Sequence, residues 1–533
     1  MFSIDQNCHP LWDALPKVEA LAKAGYDVTQ FVEDVDVAFT AIGAGKMRLA
    51  KEQYHPTGGA DWGAAMFYNE FLGRQPLDLV DLEPILGMKI TALARQLQRS
   101  PQDLYNQFSP GDNWQLIGPS FVGDRDHHRI IGDLGISEVR PFLLELMQKA
   151  KGNLLHTFGG TEARRRTENW FRREETLLDG LLKDFADRSL AELYRDWLTK
   201  HLPERVKTEL TSSLFGCGDQ LLDMFIADYP RLAGLYNRAI EETGSKLRPL
   251  RIRDGELPCF AMLLWQENLV RTPMHFRENA LHIGGDSFKL TAENTLPTEA
   301  LDKAGIQYLI GKAILMVLQV RLKQPLGLPY RGSAYMPTVH RFASHLQREG
   351  LLPGKLHPVV RVRFRLLDRM GIQDGVIRLP DHLANYFSGP EISMRDFSRN
   401  YKTLARNAAR RLERLKEPDF RTRWQKRTFP ELTRNLARLQ RRQQQLARAG
   451  AKREDTFAVW NQVKDLRKKL LEQTLRRIVN DCQIAEIGYY DSRGALAPWC
   501  VAMGGESFYH YVLTHAEIAN ETHEQEKTHL GSL

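Results

Sequence analysis

The sequence predicts an α+β protein, predominantly helical and multi-domain, with a long basic antiparallel helical hairpin near its carboxyl end. Its 533 residues exceed the size at which one hydrophobic core stops growing, which indicates two to four domains. A hydrophobic fraction of 42% with 26% charged residues is typical of globular proteins and excludes the disordered class. The hydrophobic periodicity is mostly helical, and strand-like alternation is limited to a few short runs.

Changes in composition and periodicity divide the chain into five predicted segments. The segments are an N-terminal helical domain with a helix-turn-helix-like stretch (1–110), a central mixed α/β core (111–355), a strand-containing connector (356–394), the basic helical hairpin (395–480) and a C-terminal segment (481–533). The C-terminal segment is apolar and aromatic enough to pack back on the core. Its last residues, from Glu521 onward, are predicted to be disordered.

The sequence shows no signal for secretion or membrane insertion. Its first ten residues lack the basic and apolar regions of a secretory signal. The most apolar run, Ile306 to Leu322, contains four polar or charged residues, so we predict a buried helix there. Five scattered cysteines without a Cys-x-x-Cys pair argue against a disulfide framework and a structural zinc site. We therefore expect a cytoplasmic protein without membrane association.

Two short helices joined by a tight turn are predicted between Ile90 and Tyr105. Ser100 is a favourable N-cap, Pro101 suits the first helical position, and Asp103 meets the positive helix end. The pattern is that of helix-turn-helix DNA-binding motifs. An ordinary corner between two helices stays open as the alternative, because the second helix carries no Arg or Lys.

A cluster of two carboxylates and two imidazoles is a candidate site for a divalent metal ion. Its members are Asp124, Asp126, His127 and His128. Adjacent histidines point apart on a helix or strand, so only a subset could reach one ion. A solvated, charged turn is the alternative interpretation.

Local signals predict further elements in the central region. Ser189 and Glu192 have the spacing of a capping box at the start of a helix. Pro258 to Trp265 is the best candidate for a buried strand. Paired glycines at four places, Gly284-Gly285 among them, indicate turns.

Val359 to Leu366 alternates with period two and predicts a strand. One predicted face is apolar, and the other carries Arg361, Arg363 and Arg365. An all-arginine strand face is costly without counter-charges. It either pairs with an acidic neighbour or continues the basic surface that follows it.

The segment from Arg395 to Arg477 contains 25 Lys and Arg against 9 Asp and Glu, a net charge of +16. The whole chain carries only +8, so the remainder is acidic with a net charge of −8. Helices are predicted from Ser398 to Glu417, from Glu431 to Ala449 and from Asp455 to Val479. Heptad spacing and a turn at Gly450 predict that the last two form an antiparallel hairpin.

The leading functional prediction is a nucleic-acid-binding protein that contacts DNA or RNA phosphates through the basic hairpin and the arginine strand. The predicted contact residues are Arg361, Arg363, Arg365, Arg399, Lys402, Arg406, Arg410, Arg414, Arg421, Arg423, Trp424, Lys426 and Arg427. A cytoplasmic enzyme of the transferase or hydrolase class is the alternative, with a pocket in the central domain. The hairpin would then serve substrate capture, homodimerisation or binding of an acidic protein partner.

Overall fold

The computed structural model describes residues 1–4, 12–36, 70–74, 77, 79–101, 103–104, 127–184, 188–245, 247–333, 335–387, 389–492 and 496–521. These residues form a mixed α and β structure rich in helices, as the sequence predicts. Its strands are β1 (Phe2–Ile4), β2 (Thr29–Val32), β3 (His128–Arg129), β4 (Lys207–Leu210), β5 (Glu256–Trp265), β6 (Asn268–Arg277), β7 (Ala280–Ile283), β8 (Asp286–Lys289), β9 (Ile306–Gly311), β10 (Leu326–Pro329), β11 (Val359–Arg363), β12 (Val376–Arg378), β13 (Glu391–Ser393) and β14 (Glu517–Asn520).

The helices of the described residues lie between and beyond these strands. They are α1 (Ala14–Lys23), α2 (Glu83–Leu86), α3 (Ile90–Leu97), α4 (Ile136–Thr157), α5 (Thr161–Asp184), α6 (Leu190–His201), α7 (Gln220–Ala227), α8 (Tyr229–Glu242), α9 (Thr298–Lys303), α10 (Ala313–Lys323), α11 (Met336–Arg348), α12 (Leu366–Arg369), α13 (Asp381–Ala384), α14 (Met394–Leu415), α15 (Pro418–Thr428), α16 (Pro430–Arg448), α17 (Arg453–Ala485) and α18 (Leu496–Thr514).

A six-stranded sheet with the order β14-β11-β10-β1-β2-β4 organises the molecule. We call it the parallel sheet, because every neighbouring pair from β11 to β4 runs parallel and only β14 is antiparallel. Helices connect its parallel strands, as such pairings require. The strands therefore belong to a doubly wound arrangement with both faces covered.

An antiparallel sheet with the order β8-β7-β6-β5-β9 forms a second layer of structure, and β3 pairs with β6. The strands β5 and β6 make a hairpin, and β7 and β8 make another. Gly284 and Gly285 both have positive φ in the turn between β7 and β8, so the predicted turn is confirmed there.

Two large hydrophobic cores lie around the parallel sheet. The first joins α1, α4, α5 and α6 to the segment from β11 to α18 and includes Trp197 and Trp499, both fully buried. The second joins the antiparallel sheet to α7, α8, α10 and α11 and includes Phe225 and Phe342. Both ends of the described chain thus contribute to the same part of the molecule. We call this part, the two sheets with the helices packed on them, the body.

We call helices α14 to α17 the arm. Helices α14 and α16 both contact α17, and residues 449–452 connect α16 to α17, with Gly450 at φ +62°. A small hydrophobic cluster holds the base of the arm against α2 and α3, with Trp424 and Leu475 at its centre. Farther out, none of the described side chains of α16 is buried.

Several local predictions are confirmed. Ser189 caps α6, and its hydroxyl and the Glu192 carboxylate make both hydrogen bonds of a capping box. The strand predicted from Pro258 is the longer β5. The first helix of the helix-turn-helix-like stretch is α3, and Ser100 and Asp103 exchange two 3.0 Å hydrogen bonds beyond it. Most of its second helix lies outside the described residues.

The buried helix predicted from Ile306 to Leu322 is wrong in its first half. Residues Ile306–Gly311 form the strand β9, and only the second half is helical, as α10. A continuous apolar run is compatible with a buried strand or a buried helix, since neither shows a polar face. Gly311 ends the strand, and the chain turns so closely there that a Cβ would lie 2.5 Å from the backbone nitrogen of Met316. Only glycine fits this position.

The N-terminal region also departs from the sequence prediction of short helices alone. The strands β1 and β2 flank α1 there and form a parallel pair. Residues Pro418–Thr428, between two of the helices predicted for the basic segment, are helical as well, as α15. Among the helices of the described residues, none has the length and apolar character needed to cross a bilayer.

Candidate functional site

The strand order of the parallel sheet reverses at β1. From β1 the chain proceeds to β2 and β4 on one side, and later to β10 and β11 on the other. In open α/β sheets, ligands bind in the crevice outside the carboxyl ends of the strands at such a reversal. We therefore place the candidate site at this carboxyl edge. Residues 5–11, which follow β1, lie outside the described residues.

The loop that leaves β2, Glu33-Asp34-Val35-Asp36, is acidic and held from several sides. Glu33 is 2% exposed, and its Oε1 accepts hydrogen bonds of 2.9 Å from the backbone N–H groups of Val35 and Asp36. Asp36 pairs with Arg271 of the antiparallel sheet at 2.6 Å. The loop is therefore fixed in place before any ligand arrives.

Two neighbouring carboxyl groups of this loop resist ionisation. Burial raises the pKa of Glu33 well above its ordinary range, and the charges of Asp36 and Asp34 add to the effect. Burial also raises the pKa of Asp34, which outweighs its hydrogen bonds with Ser212 at the end of β4. Carboxyl groups with raised pKa values in a crevice are typical of acid–base sites.

The hydroxyl of Tyr308 faces the same loop from strand β9. Tyr308 is 7% exposed, and its hydroxyl has no hydrogen-bond partner among the residues that the structure describes. Burial raises the pKa of this phenol, and the nearby charges of Asp34 and Glu33 raise it further. A buried hydroxyl without a partner costs about 1–3 kcal/mol. Such an exception in a folded protein calls for an explanation, and a bound ligand group is one.

The loop after β10 borders the other side of the strand reversal. It begins at Tyr330 and leads into α11, which starts at Met336. Arg331 pairs there with Glu486 at 2.8 Å. Glu486 directly follows α17, so the base of the arm reaches the rim of the candidate site.

The arginines of the predicted basic strand face are neutralised inside the body. Arg361 is 3% exposed and pairs with Glu521 at 2.8 Å. Arg363 pairs with Asp491 at 3.4 Å, and Arg365 hydrogen-bonds to Glu517 beyond the end of β11. The sequence left open whether these arginines pair with acids or extend a basic surface, and the structure shows the pairing. Glu521, predicted to begin a disordered tail, is buried.

The arm presents seven of the predicted contact residues as exposed cations. Among the described residues none of the seven has an ion-pair partner. They are Arg399, Arg406, Arg410, Arg414, Arg423, Lys426 and Arg427. The eighth exposed cation, Lys402, pairs with Asp368 at 2.6 Å.

Two predicted contact residues of the arm are engaged within the fold. Arg421 donates hydrogen bonds to the carbonyl oxygens of Ile85 (3.1 Å) and Leu415 (2.9 Å). Trp424 is 3% exposed and packs edge-on against Phe429. Both side chains fasten α15 to the base of the arm and leave little surface for a ligand.

The predicted metal cluster is only partly described, since Asp124 and Asp126 lie outside the described residues. His127 is 1% exposed, stacks on Trp265 at 4.1 Å and shares a 2.7 Å hydrogen bond with Thr272. His128 belongs to β3, the edge strand beside β6. In the part of the chain that the structure describes, no three His, Cys, Asp or Glu side chains are grouped to hold a metal ion.

Sequence reasoning missed Glu33, Asp34 and Tyr308. A signal was present for the acids, because they directly follow the short β-branched and aromatic run Thr29–Val32. A helix of the length usual in a β–α–β unit precedes that run. No signal in the sequence could place Tyr308 beside them, since β9 lies more than 270 residues away.

No protein-family model matches the sequence, and no curated protein shows significant similarity to it.

Proposed function

We propose that the protein is a cytoplasmic enzyme of the transferase or hydrolase class that binds a small molecule at the carboxyl edge of the parallel sheet. Glu33 and Asp34 would exchange protons with the ligand, because carboxyl groups with raised pKa values suit general acid–base work near neutral pH. The observation that carries the proposal is the buried hydroxyl of Tyr308 beside these two acids, which has no hydrogen-bond partner within the described part of the chain.

The site would satisfy a ligand from two sides. The acids and Tyr308 offer carboxyl and hydroxyl groups beyond β2. The loop beyond β10 offers the guanidinium of Arg331, which pairs with Glu486 and is of a type that suits an anionic group. Two strand spacings separate β2 from β10, about 10 Å, which is the scale of a metabolite.

A thermal-shift panel of nucleotides, sugar phosphates and amino acids tests this proposal on the full chain. A ligand present at 100 times its Kd stabilises the folded state by about 2.7 kcal/mol. We expect Asp34→Asn and Tyr308→Phe to remove the shift. Asp223→Asn serves as the control, because Asp223 lies in a separate surface cleft lined also by Asn279 and Glu293. An equal shift in the wild type and both site variants would place the ligand elsewhere.

We propose that α16 and α17 form the antiparallel hairpin, which serves homodimerisation or substrate capture in this enzyme. Its connection of four residues and the contact between the two helices support this arrangement. Static light scattering of the full chain at several concentrations tests the dimer.

Nucleic-acid binding by the arm is the second candidate function, supported by its seven exposed cations that pair with no acid among the described residues. Phosphate contact through such cations weakens steeply with salt, because counterions are released on binding. The test variant carries four substitutions on the arm: Arg410→Glu, Arg414→Glu, Arg423→Glu and Arg427→Glu. We expect it to lose binding to DNA and RNA oligonucleotides in fluorescence anisotropy at low salt.

A control variant with the same change of net charge carries four substitutions on exposed cations of the body: Arg253→Glu, Lys289→Glu, Lys303→Glu and Arg378→Glu. It should keep its affinity if the arm is the binding surface. Equal losses in both variants would reveal only a general charge effect. Absence of binding by the wild type would remove this candidate.

A further inference from the structure

The outer part of α17 exposes two large aromatic side chains. Phe457 is 60% exposed and Trp460 is 45% exposed. Their rings stack on each other, with centroids 5.8 Å apart and planes only 16° from parallel. Lys464 places its ammonium 5.5 Å from the centre of the Trp460 ring. Aromatic rings of this size are normally buried, so an exposed stacked pair indicates a contact surface.

This pair lies outside the seam between α16 and α17. The half-buried or buried residues Val459, Val463 and Leu466 share a different side of α17, about a third of a turn away, and follow the spacing of the seam. Near the base of the arm, the strip that continues the aromatic side contains Leu475 and Ile478, which the core cluster with Trp424 covers. The same helical strip is therefore covered at the base and uncovered at Phe457 and Trp460.

Glu454 and Asp455 precede the aromatic pair within one turn, but the part of α17 that follows it is cationic. Lys464, Arg467 and Lys468 follow it within two turns, and among the described residues none of them has an acidic partner. A second copy of this basic arm would meet the strip with charge of the same sign. An anionic partner that also offers flat apolar faces matches both features.

We infer that the Phe457–Trp460 pair stacks on unpaired bases of a single-stranded nucleic acid, whose phosphates contact Lys464, Arg467 and Lys468. This inference rests on the second candidate function and specifies its ligand. Aromatic rings amid cations bind single strands because every base has a face that can stack, whereas bases in a duplex are already stacked. The ligand therefore follows from ring exposure and charge together.

Binding of a fluorescein-labelled 12-nucleotide oligothymidylate to the full chain tests the inference. Trp460→Ala should weaken binding about tenfold or more, since one stacked base contributes roughly 1–3 kcal/mol. Trp460→Phe should stay within about threefold of the wild type, because it retains a ring. Tyr26→Ala, which removes an exposed aromatic side chain from the body, is the matched control and should have no effect. Circular dichroism verifies the helical content of each variant.

The outcomes distinguish a failure of base stacking from a failure of nucleic-acid binding by the arm as a whole. If the arm variant with four Arg→Glu substitutions loses oligothymidylate binding but Trp460→Ala leaves it unchanged, stacking is overturned and phosphate contact is retained. Tighter binding of duplex than of single strand would also overturn it. A Trp460→Ala variant that changes oligomeric state in light scattering, with unchanged oligothymidylate affinity, would reassign the pair to a protein interface. No binding by the wild type would end both proposals.

Discussion

Arg361 in the body and Arg438 on the arm differ in burial and in whether a carboxylate pairs with them. Arg361 is 3% exposed, donates to the carbonyl oxygens of Pro329 and Gly332, and pairs with the equally buried Glu521. Arg438 is exposed on α16, with Arg434 and Arg442 one turn away on either side. In the body, each arginine of β11 has a carboxylate within reach. On α16, neighbouring arginines face each other along the helix.

The difference indicates what each region is built for. Buried ion pairs hold the carboxyl edge of the parallel sheet in one geometry, at the expense of desolvation. Repulsion between exposed cations on α16 stabilises nothing within the chain. A surface that keeps such repulsion is better explained by an anionic partner than by folding.

The largest effect should follow from breaking the buried pair. Glu521→Gln leaves the Arg361 guanidinium buried without a counter-charge, and we expect a loss of about 3–5 kcal/mol in the free energy of unfolding. The exposed pair Arg378–Glu391 provides the control, and Glu391→Gln should cost less than about 1 kcal/mol. Urea unfolding of the two variants measures both values. Similar losses would mean that burial does not set the difference.

The pair also predicts a pH dependence. Burial disfavours the charge of Glu521, but hydrogen bonding with His340 and the charge of Arg361 outweigh it and lower its pKa from 4.5 to about 2. A depressed pKa means that the stabilisation is complete above the unfolded value and is lost as the pH falls from about 4.5 toward 2. Between pH 4.5 and 2, the free energy of unfolding measured by urea should therefore change less with pH for Glu521→Gln than for the wild type.

The two tryptophans of the arm differ in burial, since Trp424 is buried at its base and Trp460 is exposed farther out. Trp424→Ala should cost about 3–5 kcal/mol, because it leaves a cavity in the cluster at the base of the arm. Trp460→Ala removes an exposed ring and should change the free energy of unfolding by less than about 0.5 kcal/mol. Thermal unfolding followed by circular dichroism compares them. A large loss for Trp460→Ala would show that its ring is packed in solution.

A smaller effect of opposite sign is expected at the candidate site. Tyr308→Phe removes a buried hydroxyl that has no hydrogen-bond partner among the described residues, so the ligand-free protein should gain about 1 kcal/mol in stability. A functional group that costs stability is typical of a binding site. Urea unfolding without ligand measures the gain. Destabilisation by Tyr308→Phe would indicate that the hydroxyl is satisfied in solution.

Sequence reasoning succeeded where one local rule decided the outcome. The capping box at Ser189 and the strand after Pro258 are examples, since hydrogen-bonding groups and β-branched or aromatic residues act within a few positions. It failed at β1 and β2, whose three and four residues are too short for a periodic pattern. Their role comes from pairing with β10 and β4, far away in the chain.

The candidate site illustrates the same limit. The charge of the arm could be counted from the sequence, and seven of the thirteen predicted contact residues are exposed there with no ion-pair partner in the described part of the chain. Whether Trp424 points to solvent or into the cluster against α2 depends on contacts that no local pattern contains. Likewise, Tyr308 meets Glu33 and Asp34 only because the antiparallel sheet packs against the carboxyl edge of the parallel sheet.

The last prediction concerns α16 and tests the comparison between body and arm most directly. Arg438→Glu converts two repulsive contacts, with Arg434 and Arg442 at four-residue spacing, into attractive ones. Each repulsion lost and each attraction gained changes helix stability by about 0.2–0.5 kcal/mol, so the two contacts together should stabilise the outer arm by about 0.8–2 kcal/mol. Amide hydrogen exchange of α16 at low salt measures this gain, which high salt should reduce by screening. Arg378→Glu on the body is the control, and it should lose stability because its partner is Glu391. If Arg438→Glu instead destabilises α16, then acidic groups already neutralise these arginines in solution, and the contrast between body and arm disappears.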